Sequence, residues 1–235
     1  MRFDVLTLFP EIFEGALQAS LLGKALQNGL IQVELTNIRD FADDVHRTVD
    51  DAPYGGGPGM VMKCEPLFAA VESLRDRNPL GRVILLSPRG RRLDQSLVRE
   101  LAREPHLVLI CGRYEGVDER VSEALVSDEI SIGDYVLSGG EIPALALIDA
   151  VSRMIPGVVG DRESVETDSF SEGMLGPPQY TRPGDFRGMA VPAVLRNGDH
   201  AAIDRFRRKE ALRTTQERRP DLYERLDEAD KASLD

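Results

Sequence analysis

The residues from Ser131 to Pro143, S-I-G-D-Y-V-L-S-G-G-E-I-P, run straight into the apolar helical stretch L-A-L-I-D-A-V-S-R. Without a Cβ, Gly133, Gly139 and Gly140 let the backbone turn sharply and come close to a ligand. Glu141 and Pro143 place a negative charge and a fixed φ in the first turn of the helix that follows, both favourable at a helix N-terminus. The chemistry such a stretch supports is backbone contact with a small molecule where a strand hands over to a helix. A plain glycine-rich turn is the competing reading. Ser87-Pro88 and Gly112-Arg113-Tyr114-Glu115-Gly116 follow apolar runs in the same way. Residues 39–60 have neither helical nor strand periodicity and contain H-R-T-V-D-D-A-P-Y-G-G-G-P-G-M. Loops of that length in a compact domain are usually functional or disordered. This one matches neither G-x-x-x-x-G-K-[ST] nor G-x-G-x-x-G in register, so it is not a known phosphate cradle.

Other chemistries find little support. Cys64 and Cys111 are isolated, with no CxxC, and the three histidines are scattered, so no metal-ligand cluster is expected. Both cysteines are expected to be buried, reduced thiols. The formal net charge of -11 argues against nucleic acid as a partner. Distribution tempers that total: between Arg196 and Arg225 nine basic residues stand against six acidic ones. A basic face on an acidic protein is the consequence, with a solvated helix of ordinary paired charges as the alternative. No run of about 18 apolar residues occurs and the N-terminus lacks the pattern of a signal peptide. The expectation is a soluble, cytoplasmic protein with no membrane association.

The elements that must position these segments alternate between strand and helix. Strands are expected at residues 2–8, 31–37, 82–87 and 106–111. Helices are expected from residue 11, and at 20–28, 66–77, 94–103 and 117–125, with P-R-G-R-R after residue 87 read as a loop. The continuous apolar runs R-V-I-L-L-S and H-L-V-L-I-C suit parallel strands covered on both faces, so the class is α/β. Ligands bind such sheets at the carboxyl ends of strands, which is where the irregular segments fall. After Arg153 the pattern breaks into turn formers, and residues 199–217 and 220–226 read as helices again. The expected organisation is an α/β domain at 1–160, a linker at 161–182 and a small, basic, all-helical domain at 183–235.

The motifs also occur together in one known family. L-F-P-E-I-F (8–13), H-R-T-V-D-D-A-P-Y-G-G-G-P-G-M (46–60), L-S-P-R-G (86–90), C-G-R-Y-E-G-V-D-E-R-V (111–121), S-I-G-D-Y-V-L-S-G-G-E-I-P, D-A-V-S-R-M-I-P-G-V (149–158), D-S-F-S-E-G-M-L (168–175) and Y-T-R-P (180–183) closely resemble TrmD, in order and spacing over nearly the whole chain. That family comprises bacterial tRNA (guanine-N1)-methyltransferases acting on guanosine 37. The resemblance implies a SPOUT-type α/β fold with a C-terminal trefoil knot that holds S-adenosylmethionine. It further implies an obligate homodimer with the active site at the subunit interface, and a helical domain that grips tRNA bearing guanosines 36 and 37.

Carried over residue by residue, the resemblance makes Asp168 the general base for the guanine N1 proton and Arg153 the guanidinium that stabilises charge on O6. From sequence alone Asp168 also reads as a helix N-cap. The cofactor pocket is expected at Leu86, Pro88, Gly112, Ile132, Gly133, Asp134, Tyr135, Val136, Leu137, Gly139 and Gly140. Glu115 either faces the positive end of the cofactor or partners Arg113 or Arg120. Asp50, Pro58 and Gly59 are expected against the target guanine and its 5′ neighbour. The active site is expected to pair one chain's pocket with the other chain's Asp168, and Arg207, Arg208 and Arg213 are expected to contact tRNA. Members of the family depend on Mg2+, for which no carboxylate cluster here offers a site. Another SPOUT methyltransferase with a different RNA target, or a non-enzymatic RNA-binding protein on the same fold, are the competing functions. The H-R-T-V-D-D loop and Asp168 disfavour the first.

Overall fold

The computed structural model describes residues 1–75, 81–161 and 167–232. It divides into two units, Met1–Gly160 and Asp161–Asp235.

The first unit is built on a five-stranded sheet. Its strands are β1 (Arg2–Thr7), β2 (Gln32–Asn37), β5 (Arg82–Arg92), β6 (His106–Cys111) and β7 (Asp128–Ser131), in the order β2-β1-β6-β5-β7. Every pairing is parallel. Two short strands, β3 (Asp50–Asp51) and β4 (Val61–Met62), pair antiparallel within the long loop. Helices α1 (Glu14–Gln18), α2 (Ser20–Gln27), α3 (Cys64–Glu72), α4 (Gln95–Leu101) and α5 (Glu119–Leu125) connect the strands in sequence, and α6 (Glu141–Ser152) follows β7.

Side chains alternate across a strand, and here both faces are apolar. Phe3 and Val5 of β1, Ile84 and Leu86 of β5, and Leu107, Leu109 and Cys111 of β6 join the core that includes Leu147 and Val151 of α6. Leu6, Val83, Leu85, Val108 and Ile110 join the opposite core, with Leu67 and Val71 of α3 and Val121 of α5. Double coverage is why these strands read as continuous apolar runs.

Several boundaries differ from expectation for identifiable reasons. The P-R-G-R-R segment is not a free loop. β5 continues to Arg92, and Ile130 of β7 faces first Leu86 and then Arg91, so the residues between them bulge out of the ladder. Gly90 permits this, since a Cβ there would lie 2.3 Å from the Ile130 amide nitrogen. The helix expected at 66–77 is α3, which starts earlier; residue 77 lies outside the described residues. The helix expected from residue 11 begins as a 3-10 turn at Pro10–Ile12 and breaks at Ala19, whose backbone is extended. Cys111 is buried as expected, whereas Cys64 is only half-buried.

The second unit contains the antiparallel pair β8 (Asp185–Phe186) and β9 (Met189–Ala190), then α7 (His200–Arg218), α8 (Pro220–Tyr223) and α9 (Glu228–Ala232). It is therefore not all helical. Asp199 caps α7 by accepting from the Ala202 amide at 3.0 Å. Met174, Ala211, Leu212 and Leu226 form its core. Thr215, fully buried, accepts from the Leu175 amide at 2.9 Å and donates to the Ala211 carbonyl at 2.7 Å. The segment around residues 169–176, expected within an open linker, is thus folded onto α7.

Candidate active site

Because β6, β5 and β7 are adjacent and parallel, their carboxyl ends open side by side. A cavity of about 300 Å³ lies there. The β5 bulge contributes Leu86, Ser87, Pro88 and Arg89, and the β6 exit contributes the run from Gly112 to Val117. After β7, the loop residues Ile132, Gly133, Tyr135, Val136, Leu137, Gly139 and Gly140 complete the wall, with Pro143 of α6.

The backbone is what this cavity presents, and glycine is what keeps it open. A Cβ on Gly140 would lie 2.7 Å from Cys111 Cα, and the Gly140 amide donates to the Gly112 carbonyl at 2.9 Å. The post-β7 loop therefore docks directly on the end of β6. Gly112 itself has room: a Cβ there would make only ordinary contacts, at 3.7 Å or more.

A buried ion pair fixes the same loop from behind. Arg113 Nη2 lies 2.9 Å from Oε2 of Glu141, which is 1 % exposed. Arg113 Nη1 donates to the Ser138 carbonyl at 3.2 Å, and the guanidinium lies 4.4 Å from the centre of the Phe9 ring. Thr7 donates its hydroxyl to Glu141 Oε1 at 2.8 Å. Glu141 stands in the first turn of α6, as the sequence suggests, but its charge is spent on Arg113 rather than left to the helix end alone.

The structure brings together Leu86, Pro88, Gly112, Glu115, Ile132, Gly133, Tyr135, Val136, Leu137, Gly139 and Gly140 around one cavity, and leaves Asp134 out of its lining. Neither partner weighed for Glu115 is the one found. Arg113 pairs with Glu141 and Arg120 with Asp118, and Glu115 lines the cavity as an exposed carboxylate. Asp50, Pro58 and Gly59 do not line the cavity. Gly59 nonetheless reaches its edge, since a Cβ there would lie 2.5 Å from Glu115 Oε1. The Glu115 amide donates to the Met60 carbonyl at 3.0 Å and the Met62 amide to the Gly116 carbonyl at 2.9 Å, lacing the end of the long loop to the β6 exit. Asp50 faces Met62 across the β3–β4 pair.

Arg153 follows the last residue of α6, while the cavity lies at that helix's first turn. About 20 Å of helix separates the two along one chain. Asp168 belongs to the second unit, where its carbonyl accepts from the Ser171 amide at 3.1 Å. No helix follows it, so it is a turn residue and not an N-cap.

Neither cysteine is poised as a thiolate. Burial pushes the Cys111 thiol well up, and burial together with the nearby Asp118 carboxylate pushes Cys64 up to about 11. A cysteine nucleophile is thereby disfavoured. Among the described residues no group of three His, Cys, Asp or Glu side chains could hold a metal ion.

Sequence reasoning missed Arg113, Glu141 and Thr7 as one unit, and missed Ser131, Ser138 and Pro143 as lining residues. The residue spacing held no signal for the ion pair, because Arg113 and Glu141 meet only when the post-β7 loop docks on β6.

A parallel sheet with a backbone-lined cavity at neighbouring strand exits defines an α/β protein of the class whose ligand sites lie where the strands end. The particular family follows from comparison: the chain belongs to the family described as tRNA (Guanine-1)-methyltransferase TrmD, whose model matches residues 1–225. A tRNA (guanine-N(1)-)-methyltransferase of Geobacter metallireducens is 55% identical over 236 residues, covering 100% of this chain and 96% of its own length. That of Moorella thermoacetica is 57% identical, covering 96% of this chain and 91% of its own. The crystal structure of tRNA (m1G37) methyltransferase from Aquifex aeolicus has a TM-score of 0.78 at 41% identity, and covers 93% of each chain.

Proposed function

We propose that this chain methylates N1 of guanosine 37 in tRNA, with S-adenosylmethionine as methyl donor, as a homodimer whose active sites are shared between subunits. The observation that carries the reading is a family match over residues 1–225 whose expected cofactor positions converge on one cavity. An α/β domain ending in a trefoil knot, a connecting segment at 161–182 carrying Asp168, and a tRNA-binding region at 183–235 is the organisation that goes with it.

The cavity suits an adenosyl ligand. Its walls are glycine backbone and aliphatic side chains, which offer main-chain donors and acceptors between apolar surfaces. Glu115 supplies a carboxylate for a positive centre. When bound there, S-adenosylmethionine supplies a methyl carbon activated by a sulfonium. The chain's own task is then positioning, because in-line displacement rewards fixed geometry. Docking of Gly140 on Gly112, with the Arg113–Glu141 pair behind it, holds that wall in place. Neutral guanine N1 carries a proton, and the Asp168 carboxylate takes it. Loss of that proton moves charge to O6, which the Arg153 guanidinium stabilises.

The length of α6 supports sharing between subunits. Arg153 stands at the far end of that helix from its own chain's cavity, which favours its reaching a cavity from the partner, together with the Asp168 that the family resemblance assigns there.

The experiment is methyl transfer to a tRNA transcript bearing guanosines 36 and 37, read as 1-methylguanosine by mass spectrometry. Absence of that product would end the reading. Subunit exchange then tests the sharing. Mixing Asp168→Asn with the cavity-filling Gly112→Leu should restore activity, because one of the two sites then has neither defect. Mixing Asp168→Asn with Arg153→Ala should not, because each site then lacks one of the two groups. Restoration in the second mixture would return Arg153 to its own chain's cavity.

A further inference from the structure

Among the described residues of the second unit, Thr215 of α7 is the only buried polar side chain. The core around this part of α7, Met174, Ala211, Leu212 and Leu226, is apolar. Packing alone asks for no hydroxyl there, since valine has nearly the same shape, and a buried polar group costs stability unless it is hydrogen-bonded. The Thr215 hydroxyl donates to the Ala211 carbonyl at 2.7 Å, which fixes its orientation, and accepts from the Leu175 amide at 2.9 Å. The second bond reaches back along the chain to the segment that begins with Asp168.

That segment is closed on itself before it meets α7. The Ser169 hydroxyl accepts from the Gly176 amide at 2.9 Å, the Phe170 amide donates to the Met174 carbonyl at 2.7 Å, and the Ser171 amide donates to the Asp168 carbonyl at 3.1 Å. Phe170 and Gly173 turn the chain with φ of 71° and 79°, and Met174, next in line, is buried in the core. Glu172 pairs with Arg208 of α7, which also pairs with Asp230 of α9. Those ion pairs are partly exposed, and such pairs hold little singly. The Thr215 bond is the buried one.

Asp168 itself is exposed. A general base must come within hydrogen-bond reach of the proton it takes, so an exposed carboxylate works well only when the chain behind it is fixed. On a free linker that ordering would be repeated at every turnover. On a segment fastened to α7 it is complete once the unit has folded. We propose that Thr215 is a positioning residue for Asp168: by catching the Leu175 amide it fastens residues 168–176 to α7 and presents the carboxylate on a folded body.

The proposal rests on the tRNA-methylating reading, in which Asp168 is the base, and the test separates the two. Single-turnover methyl transfer at saturating S-adenosylmethionine and tRNA transcript is compared for wild type, Thr215→Val, Thr215→Ser and Ser169→Ala, with both KM values and melting temperatures. Thr215→Val should lower the rate about 10-fold or more, with both KM values within about twofold of wild type. Thr215→Ser loses a buried methyl group but keeps the hydroxyl, and its rate should stay within about threefold. Raising the pH should narrow the gap between Thr215→Val and wild type, because guanine N1 then loses its proton to solvent and depends less on a placed base. Should Thr215→Val fail to fold, Ser169→Ala, which opens the segment at a half-buried site, should show the same rate loss and pH response.

If wild type makes 1-methylguanosine while Thr215→Val and Ser169→Ala both turn over within about twofold of it, the positioning role fails and the reading stands. Equal rate losses in the Val and Ser variants, or a loss confined to the KM for tRNA, would likewise overturn the positioning role. If wild type makes no 1-methylguanosine, or Asp168→Asn keeps full turnover, the reading of the base fails and takes the proposal with it.

Discussion

Two buried acid–base clusters sit at opposite ends of the same sheet, and β1 contributes to both. At the amino end Asp4, fully buried, takes both Arg2 nitrogens at 2.8 and 2.9 Å and the His106 ring at 2.6 Å. At the carboxyl end Glu141 takes Thr7 and Arg113, yet its Oε2 and Arg113 Nε lack a hydrogen bond of good geometry. Buried polar atoms are normally satisfied, and exceptions concentrate where function is built. The amino-end cluster ties β1 to β6 and does not line the cavity at the strand exits. The carboxyl-end cluster tolerates a poorer fit because it must hold a loop against open space. Carboxylates equally buried do different work according to which end of a parallel sheet they occupy.

The largest effect should come from outside both clusters. Asp168→Asn should lower methyl-transfer turnover at least 100-fold while leaving S-adenosylhomocysteine affinity near wild type, measured by single-turnover kinetics and calorimetry. Retention of a tenth of wild-type turnover would show that Asp168 is not the base. Next, Glu141→Ala leaves Arg113 buried without its carboxylate. The cost should be about 3–5 kcal/mol of stability, and the folded fraction should bind S-adenosylhomocysteine at least about 10-fold more weakly. Asp4→Ala should cost about 3 kcal/mol, the low end of that range because Arg2 is partly exposed. Its folded fraction should bind cofactor normally. Equal affinities in the two variants would erase the distinction between the ends.

The smallest effect is one of pH. Burial alone would raise the Asp4 carboxyl, but hydrogen bonds from Arg2 and His106 outweigh it and hold the group below its ordinary 3.8. A carboxyl depressed in the folded state adds stability above its unfolded value and loses it as pH falls through the folded one. Denaturant titrations from pH 5 downward should therefore show stability falling below pH 4 more steeply in wild type than in Asp4→Asn. Parallel curves would mean that the amino-end cluster carries no ionic stabilisation.

The same contrast explains what could be read before folding. β6 was legible because all six of its residues are buried, so its apolar run is unbroken. The three strand exits were legible because glycine and proline interrupt such runs at the point where a ligand can approach. The extension of β5 to Arg92 was not, because polar R-G-R-R looks like loop until Ile130 pairs with it twice. Glu141 looked like a helix-end charge because its partner lies 28 residues away and meets it only through tertiary docking. The hairpin was hidden among turn formers, its strands being two residues each. Motif resemblance supplied Asp168 and Arg153, yet only the span of α6 reveals that Arg153 and the cavity of one chain stand apart.

The bulge in β5 also has a consequence for rates. Leu86 and Arg91 are both anchored on Ile130, so the wall carrying Ser87 and Pro88 is pinned at each end by one strand. The facing wall is also held at both ends, by β7 at Ser131 and by the Gly140 amide on the Gly112 carbonyl, and between them Tyr135 is 56% exposed and Val136 84%. The difference is the length of chain between anchors, four residues after Leu86 against eight before Gly140, so ligand exchange is expected to be timed by the longer, glycine-flanked leaf of the door.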